Sequence, residues 1–330
     1  MPPEKGSGRA MTKTVTKALV GHTGFVGSNL ADQTDFQGLY NSKNIESAYN
    51  TKPDLLIYSG VRAEKYLANR EPERDYSLVQ SAFENIQKIA PKKVVLMSTI
   101  DVYKTPISVD ENTPIDTENL HPYGLNRYLL EKMVEESDMP SLILRLPALF
   151  GKNIKKNFIY DLINIIPAML QKEKLDELSE TKPAIKQYYT LHESGLYKCT
   201  AQKSELPPLR QLFTDVGFTA LNFTDSRASF QFFNLNYLWE IIDKALEFNL
   251  NKLNIATEPL AASEIYDFLY TKSFINEVNP QAPKYDFKSK HAELFGGKNG
   301  YMYSSSEVLN DIKHFVKTET ETHENKTFNF

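Results

Sequence analysis

The sequence contains a single cysteine, Cys199, in 330 residues. One cysteine cannot form a disulfide within the chain, which suits a protein of the reducing cytoplasm. The six histidines are scattered singly, so the sequence predicts no metal site. Apolar runs stay well below the roughly 18 residues that a membrane span requires, and we therefore expect no transmembrane helix.

An excess of basic residues is also lacking. Lysine and arginine together number 38, against 42 aspartates and glutamates, which gives a net charge of −4. Proteins that bind nucleic acids usually concentrate a strong basic excess on one face, so we expect no nucleic-acid partner. A hydrophobic fraction of 41% and a charged fraction of 24% are typical of a globular protein with one large or two moderate domains.

Short apolar runs alternate with amphipathic stretches in the first half of the chain. The runs TVTKALV, PDLLIYS, KKVVLMST and SLILRLPALFG are predicted strands, and the stretches 73–90 and 122–137 are predicted helices. Strands and helices in alternation form βαβ units. The sequence therefore predicts an α/β fold, a doubly wound parallel sheet of Rossmann type with helices on both faces.

The segment GHTGFVG, residues 21–27, lies where the first predicted strand passes into a helix. Glycines allow a tight turn there and let the backbone approach a pyrophosphate, which the N-terminus of the helix attracts. The alternative is a glycine-rich turn without a ligand, and the position in the first βα unit favours the dinucleotide. The expected cofactor contacts in this loop are Gly21, Thr23, Gly24, Phe25, Val26 and Gly27.

The residue that contacts the adenosine ribose is expected about 20 positions after the first glycine. Asn41, Ser42 and Lys43 lie there and include no carboxylate, the group that binds the 2′-hydroxyl of NAD. A hydroxyl and a cation suit a 2′-phosphate instead, so the sequence favours NADP over NAD. The alternative is that Lys43 is a solvated surface lysine.

A third group of residues has the chemistry of proton transfer. Thr99 ends a predicted strand, and Tyr123 and Arg127 lie four residues apart on one face of a predicted helix. A tyrosine that transfers protons at neutral pH needs its pKa, ordinarily about 10, lowered by a cation, and a hydroxyl group must hold the substrate oxygen. Arg127 and Thr99 are the candidates for these tasks. The alternative is a tyrosine that packs against an arginine stem.

Together these motifs resemble the extended short-chain dehydrogenase/reductase family, the NAD-dependent epimerases and dehydratases that act on nucleotide sugars. GHTGFVG is similar to the family's GxxGxxG, MSTIDVY to SSxxVYG, YGLNR to YxxxK and RLPALFG to RxxNVYG. FQFFNLNYLWEII with KLNIAT resembles the family's later return to the sheet. The resemblance implies that Tyr123 is the catalytic acid/base, that Thr99 orients the sugar oxygen and that the glycine loop binds NADP or NAD. It also implies a nucleotide-sugar substrate and a possible homodimer.

The resemblance extends to further contacts. Ser59, Gly60 and Val61 are expected along the nicotinamide side of the cofactor. Arg227 precedes the returning strand and is the candidate for binding a substrate diphosphate, with an ion pair to Asp225 as the alternative.

The predicted division of the chain is a flexible leader or tag (1–13), a dinucleotide-binding Rossmann domain (14–155, completed by about 229–257), a smaller C-terminal substrate-binding domain (156–228 and 258–317) and a flexible tail (318–330).

The chain departs from the family pattern at four positions. Arg127 replaces the family's lysine; it keeps the charge that can hold the nicotinamide ribose, but it donates through a planar fork. Ile100 and Asp101 replace the Asp-Glu pair of the dehydratases, so Asp101 is kept only as a substrate contact, and Ala148 replaces an asparagine. Two hypotheses follow. The first is an NAD(P)-dependent epimerase, reductase or dehydratase-like enzyme, and the second is a dinucleotide-binding sensor or scaffold with reduced or lost catalysis.

The glycine loop generates the first prediction. Titration of the protein with NADPH and NADH, followed by nicotinamide fluorescence, is expected to show tighter binding of NADPH. The Gly24→Asp variant is expected to lose this binding, because a carboxylate in the loop repels the pyrophosphate. Absence of binding by the unmutated protein to either nucleotide would refute the cofactor assignment.

Overall fold

The computed structural model describes residues 15–325 of the chain, and the predicted leader, 1–13, lies outside them. The strands are β1 (Lys17–Val20), β2 (Gly38–Tyr40), β3 (Leu55–Tyr58), β4 (Val94–Thr99), β5 (Ser141–Leu146), β6 (Ala148–Phe150), β7 (Met169–Leu170), β8 (Tyr189–Leu191), β9 (Tyr197–Cys199), β10 (Ser229–Phe230), β11 (Phe232–Asn234), β12 (Lys252–Asn254) and β13 (Leu260–Ala261). The α-helices are α1 (Phe25–Ala31), α2 (Lys65–Arg70), α3 (Pro72–Ile89), α4 (Pro122–Glu135), α5 (Phe158–Ile163), α6 (Lys172–Thr181), α7 (Leu206–Asp215), α8 (Leu238–Glu247), α9 (Ala262–Tyr270) and α10 (Ser305–Asn325).

Six strands form a parallel sheet in the order β2–β1–β3–β4–β5–β12. Successive side chains point to opposite faces of a strand. Leu19 and Ile57 accordingly pack towards α1 and α8, whereas Val20 and Leu56 pack towards α3 and α4. Both faces of the sheet are covered by helices, which confirms the predicted doubly wound α/β fold.

The sheet reverses its direction of growth at β1. The chain runs from β1 to the edge strand β2 and then crosses back to β3 on the other side of β1. The link between β2 and β3 contains a short 3₁₀ helix, Ile45–Ala48. In open parallel sheets a ligand crevice forms outside the carboxyl ends of the strands at such a reversal. The glycine loop follows β1 at this point.

Two strand predictions need correction. The run SLILRLPALFG was predicted as one strand, but Pro147 divides it into β5 and β6, since proline has no N–H to donate to the ladder. FQFFNL was expected to return to the central sheet. Its strand β11 instead pairs with β6 in a separate two-stranded parallel sheet, and β12 is the strand that joins the central sheet.

The remaining elements form two further cores. Helices α5, α9 and α10 pack with β6 and β11 around one of them. Helices α6 and α7 pack around the other with an antiparallel sheet in the order β7–β9–β8. Among the described residues, no helix combines the length and the apolar character needed to cross a membrane.

Helix α10 extends into the range of the predicted flexible tail. Residues 318–325, expected to belong to a flexible tail, continue helix α10 as far as Asn325. The ion pair between Lys317 and Glu321, 3.8 Å long and one helical turn apart, is one interaction that favours the helix in this polar stretch.

A buried ion pair joins the strands to helix α4. Arg145 of β5 and Glu131 of α4 are 1% and 0% exposed. Arg145 Nη2 donates to Glu131 Oε2 at 2.6 Å, and Arg145 Nε donates to Glu131 Oε1 at 3.0 Å. Ser98 of β4 donates to the same carboxylate, and Arg145 Nη1 donates to the Tyr103 hydroxyl at 2.7 Å. These bonds fix α4, which carries Tyr123, against the carboxyl ends of β4 and β5.

The Glu131→Gln variant is expected to lose about 3–5 kcal/mol in free energy of unfolding, because the buried Arg145 charge is left without its counter-ion. Equilibrium urea denaturation measures the loss. Glu84→Gln is the matched control, since Glu84 pairs with Lys88 on the solvent-exposed side of α3 and its removal is expected to cost less than about 1 kcal/mol. Equal losses in the two variants would contradict the role given to the buried pair.

Candidate active site

The glycine loop connects β1 to α1. Gly21 has a φ of +92°, and a Cβ on it would lie 2.6 Å from the Ser59 carbonyl oxygen. A Cβ on Gly27 would lie 2.1 Å from the Gly21 carbonyl oxygen. Both positions therefore require glycine, because α1 begins directly against β1 and β3. Thr23 and Gly24 are exposed at the carboxyl end of the sheet, and Gly24 is the N-cap of α1.

The first turn of α1 provides hydrogen-bond donors. The backbone amides of Phe25 and Val26 lie in this turn, where a helix has no carbonyl partners for them. Their side chains pack against the core between the sheet and helices α1 and α8. Only their backbone amides are therefore available to bind a ligand. Amides at a helix N-terminus bind phosphate groups through hydrogen bonds and the helix dipole. The loop is therefore suited to hold a pyrophosphate.

The segment after β2 lies beside the glycine loop. The Gly21 amide donates to the Tyr40 carbonyl at 2.7 Å, which places the following residues at the same crevice. The Asn41 side chain accepts from the Lys43 amide at 2.8 Å and so closes its own turn. The side chains of Ser42 and Lys43 are exposed. Of the three predicted ribose contacts, Ser42 and Lys43 therefore remain available to a ligand through their side chains.

The segment after β3 borders the crevice on the opposite side. The Ser59 hydroxyl donates to the Val20 carbonyl at 2.9 Å, so this side chain fixes β3 to β1. Gly60 is exposed, and a Cβ on it would lie 2.9 Å from a Val20 methyl group. Val61 packs against the core under α3 and α4. The backbone at Gly60 is the part of this segment that faces the crevice.

Tyr123 lies in the first turn of α4 and is 7% exposed. The next residue, Gly124, explains its position, because a Cβ there would lie 2.2 Å from the Asp101 carbonyl oxygen. Helix α4 thus contacts the turn that follows β4. That turn begins at Thr99, whose hydroxyl oxygen accepts from the Asp101 amide at 3.2 Å and whose side chain lies within hydrogen-bonding reach of the Tyr123 phenol. The structure therefore brings Thr99 and Tyr123 close together.

Arg127 lies one turn further along α4, and its charge is already paired. Its Nη1 and Nη2 donate to the two carboxylate oxygens of Asp75 in α3, at 2.6 and 3.0 Å. Nη2 also donates to the Arg62 carbonyl at 2.5 Å, and the guanidinium centre lies 4.5 Å from the centroid of the Tyr123 ring. Asn126 donates to Asp75 as well, at 2.9 Å. Arg127 is 5% exposed, so it is a buried, neutralised cation beneath the phenol.

Sequence reasoning missed Asp75, although the pattern of α3 contains a signal for it. Asp75, Val79, Ala82 and Ile86 recur at helical spacing and are the buried side chains of one face. A charged residue on an otherwise apolar face must pair with another group when it is buried. The signal therefore shows that Asp75 needs a partner, but it does not identify Arg127.

The protonation of Tyr123 follows from its surroundings. Burial raises the pKa of the phenol, Arg127 lowers it, Asp101 raises it, the neighbouring Thr99 side chain lowers it and Asp75 raises it. The net effect is a raised pKa. Arg127 acts in the direction expected from the sequence, but burial outweighs it, so the phenol is protonated at neutral pH. The His121 ring stacks near the phenol at 6.3 Å between centroids, and burial lowers its pKa.

Asp101 has two partners that the sequence did not reveal. Its Oδ1 accepts from Lys65 Nζ and from the Tyr285 hydroxyl, each at 3.0 Å. Burial, Asp101 and the nearby Tyr123 all raise the pKa of Tyr285. Tyr285 lies 184 residues beyond Asp101, and no local pattern links the two.

Arg227 forms an ion pair with Asp225, which is the alternative to a diphosphate contact. Its Nε and Nη2 donate to the two carboxylate oxygens of Asp225 at 2.9 and 2.8 Å, and Nη1 lies 2.9 Å from Glu277. The guanidinium lowers the pKa of the Asp225 carboxyl. Arg227 is thus held by two carboxylates, a structural arrangement that leaves little of its charge for a diphosphate.

No protein-family model matches the sequence, and no curated protein matches it. Solved structures are similar along nearly the whole chain. A dTDP-4-dehydrorhamnose reductase from Bacillus anthracis in complex with NADP has a TM-score of 0.61 and 16% identity, covering 92% of this chain and 98% of that one. The Bordetella bronchiseptica enzyme WbmG in complex with NAD has a TM-score of 0.59 and 15% identity, with 96% of each chain covered.

A third structure is RMD from Pseudomonas aeruginosa complexed with NADPH. Its TM-score is 0.57 at 14% identity, and the alignment covers 94% of this chain and 99% of that one. At these identities the likeness establishes the fold. The chain shares the α/β fold of these three proteins, with the central parallel sheet that its strand and helix pattern predicts.

Proposed function

We propose that the chain is an NAD(P)-dependent oxidoreductase that reduces a carbonyl group on a nucleotide-activated sugar. The observation that carries the proposal is the buried Tyr123 phenol, which stays protonated because burial raises its pKa more than the neighbouring Arg127 cation lowers it. A protonated phenol gives a proton to a carbonyl oxygen, whereas oxidation of an alcohol requires a base. Reduction is therefore favoured over epimerisation and dehydration.

The glycine loop fits the dinucleotide. Gly21 and Gly27 leave no room for a Cβ, and the first-turn amides of α1 are available for a pyrophosphate. The exposed Lys43 and the absence of a carboxylate at positions 41–43 favour NADP. The similar structures of the reductase and of RMD are complexes with NADP and NADPH, and that of WbmG is a complex with NAD.

The residues around Tyr123 can perform one half of a carbonyl reduction. When bound, the nicotinamide supplies a hydride to the carbonyl carbon. Tyr123 gives its phenolic proton to the carbonyl oxygen, and the Thr99 hydroxyl donates to the same oxygen and orients it. Hydride and proton together convert the ketone to an alcohol. The Arg127 guanidinium, against the Tyr123 ring, stabilises the phenolate that remains until solvent returns a proton.

The second candidate is a dinucleotide-binding sensor or scaffold with reduced catalysis. The observation that favours it is the ion pair between Arg127 and Asp75, because Arg127 is not a free cation at the ribose. The Arg127→Lys variant separates the two functions. Lysine cannot make the bidentate contact to Asp75, so an enzyme is expected to keep or lose turnover, whereas a sensor with suppressed chemistry is expected to gain it.

The Tyr123→Phe variant tests the proposed function. Consumption of NADPH is measured with dTDP-, UDP- and GDP-linked keto sugars, and loss of the proton donor is expected to lower kcat about 10²- to 10⁴-fold. The dissociation constant for NADPH, measured by nicotinamide fluorescence, is expected to remain within about twofold of that of the unmutated protein, because the loss of one weak contact changes the binding free energy little. Full turnover by Tyr123→Phe would contradict the role of Tyr123.

The Asp75→Asn variant tests how the ion pair affects the pKa of the Tyr123 phenol. Asp75 raises the pKa of Tyr123, so its removal lowers that pKa. Because the acid form is the active one, the rate falls as the pH rises through the pKa, and this fall is expected at lower pH in Asp75→Asn. The unpaired Arg127 charge is also expected to cost about 3–5 kcal/mol in stability. The pH dependence of kcat and urea denaturation measure the two effects.

Two further variants make this experiment specific. Glu73→Gln removes an exposed carboxylate from the same helix and is expected to leave the pH profile unchanged. The double variant Asp75→Asn/Arg127→Gln leaves no unpaired charge, and since Arg127 is the stronger influence on Tyr123, its profile is expected to move to higher pH. Identical profiles in all variants would show that the ion pair does not control Tyr123.

A further inference from the structure

Lys65, Asp101 and Tyr285 form a cluster beside Tyr123. Lys65 is the first residue of α2, Asp101 lies in the turn after β4, and Tyr285 lies in the segment between α9 and α10. Three distant parts of the chain therefore meet at one carboxylate. The proposed proton transfer uses neither Lys65 nor Tyr285, so their convergence needs its own explanation.

The two donors leave half of the carboxylate available. Lys65 and Tyr285 both donate to Oδ1 of Asp101, at 3.0 Å each. Within residues 15–325, Oδ2 accepts no hydrogen bond, and the Asp101 side chain is 18% exposed. Lys65 neutralises part of the charge, and the two bonds fix the plane of the carboxylate. Oδ2 is consequently a fixed, charged acceptor with capacity for a hydroxyl donor.

The cluster is held close to the reacting group. Helix α4 contacts the Asp101 backbone at Gly124, directly after Tyr123. The Tyr285 segment is fixed on two sides, since the Tyr285 amide donates to the Ser229 carbonyl at 3.0 Å and the Asp286 amide donates to the Pro106 carbonyl at 2.8 Å. The phenol of Tyr285 therefore approaches Asp101 from a pinned backbone and not from a free loop.

We propose that Asp101 determines which sugars the site accepts, with Lys65 and Tyr285 as its positioning residues. Asp101 Oδ2 accepts a hydrogen bond from a ring hydroxyl next to the reacting carbonyl, so the substrate class is a nucleotide-linked keto sugar with a free hydroxyl at that carbon. The inference rests on the proposed function for the location of the sugar. A site built around a hydroxyl group discriminates against analogues without it, because the bound analogue displaces water from the charged acceptor and gives it no hydrogen bond in return.

The experiment compares two ligands that differ only in that hydroxyl. The ligands are the best binder among dTDP-, UDP- and GDP-linked keto sugars and its analogue deoxygenated next to the carbonyl. Steady-state kcat and KM are measured for both in the intact protein. Calorimetric binding, with NADP⁺ present, uses the corresponding sugar alcohols, which cannot be reduced. The unmutated protein is expected to prefer the hydroxylated ligand about 10- to 100-fold, as for a hydrogen bond to a charged group.

Asp101→Asn is expected to abolish this preference, mainly through KM and binding, while NADPH binding stays unchanged. Tyr285→Phe and Lys65→Met each remove one bond to Oδ1 and are expected to reduce the preference by a smaller factor. Tyr66→Phe is the matched control, because Tyr66 follows Lys65 and is 60% exposed, and it is expected to behave like the unmutated protein.

The outcomes separate this inference from the proposed function. An unchanged preference in Asp101→Asn, together with lower stability, would mean that the cluster is only structural and would overturn the inference. Binding of the sugar alcohols with the expected preference, but without turnover of the keto sugars, would refute the proposed reduction and support the inference. Failure of the unmutated protein to bind any of the sugars would overturn both.

Discussion

The buried ion pair between Arg127 and Asp75 is the interaction on which the site depends. It joins α4 to α3. Arg127 also donates a hydrogen bond to the Arg62 carbonyl, and this bond fixes the segment after β3. Two charges removed from water are stable only with full hydrogen bonding, which the bidentate contact and Asn126 provide. The same pairing weakens the influence of Arg127 on Tyr123, so burial sets the protonation of the phenol.

Close backbone contacts place the other parts of the site at one edge of the sheet. Gly27 lets α1 begin against β1, and Gly124 lets α4 contact the turn after β4. Side chains could not fit at either contact without moving a helix. The glycine loop, Tyr123 and the Asp101 carboxylate consequently lie near the carboxyl ends of β1 and β4, the edge at which a parallel sheet forms its ligand crevice.

Local sequence patterns were sufficient for the fold class, and they also marked residues that the structure brings to one edge of the sheet. The alternation of apolar runs and amphipathic stretches predicts the central sheet, and the motifs at residues 21–27, Thr99 and Tyr123 mark three points at one edge of it. Pairings between distant segments were beyond the sequence. The partner of Arg127 lies on another helix, and Tyr285 reaches Asp101 from 184 residues away. The division at Pro147 could have been predicted, since a proline inside a strand interrupts its ladder.

The protonation state of Tyr123 tests the account most directly. Carbon-13 NMR of protein labelled at tyrosine Cζ, with the signal assigned through Tyr123→Phe, follows this phenol through a pH titration. Burial, which outweighs the lowering by Arg127, predicts that Tyr123 remains protonated through neutral pH and titrates above the ordinary tyrosine pKa of about 10. A Tyr123 phenolate at neutral pH would contradict the central claim, because the residue would then be a base and the reaction an oxidation.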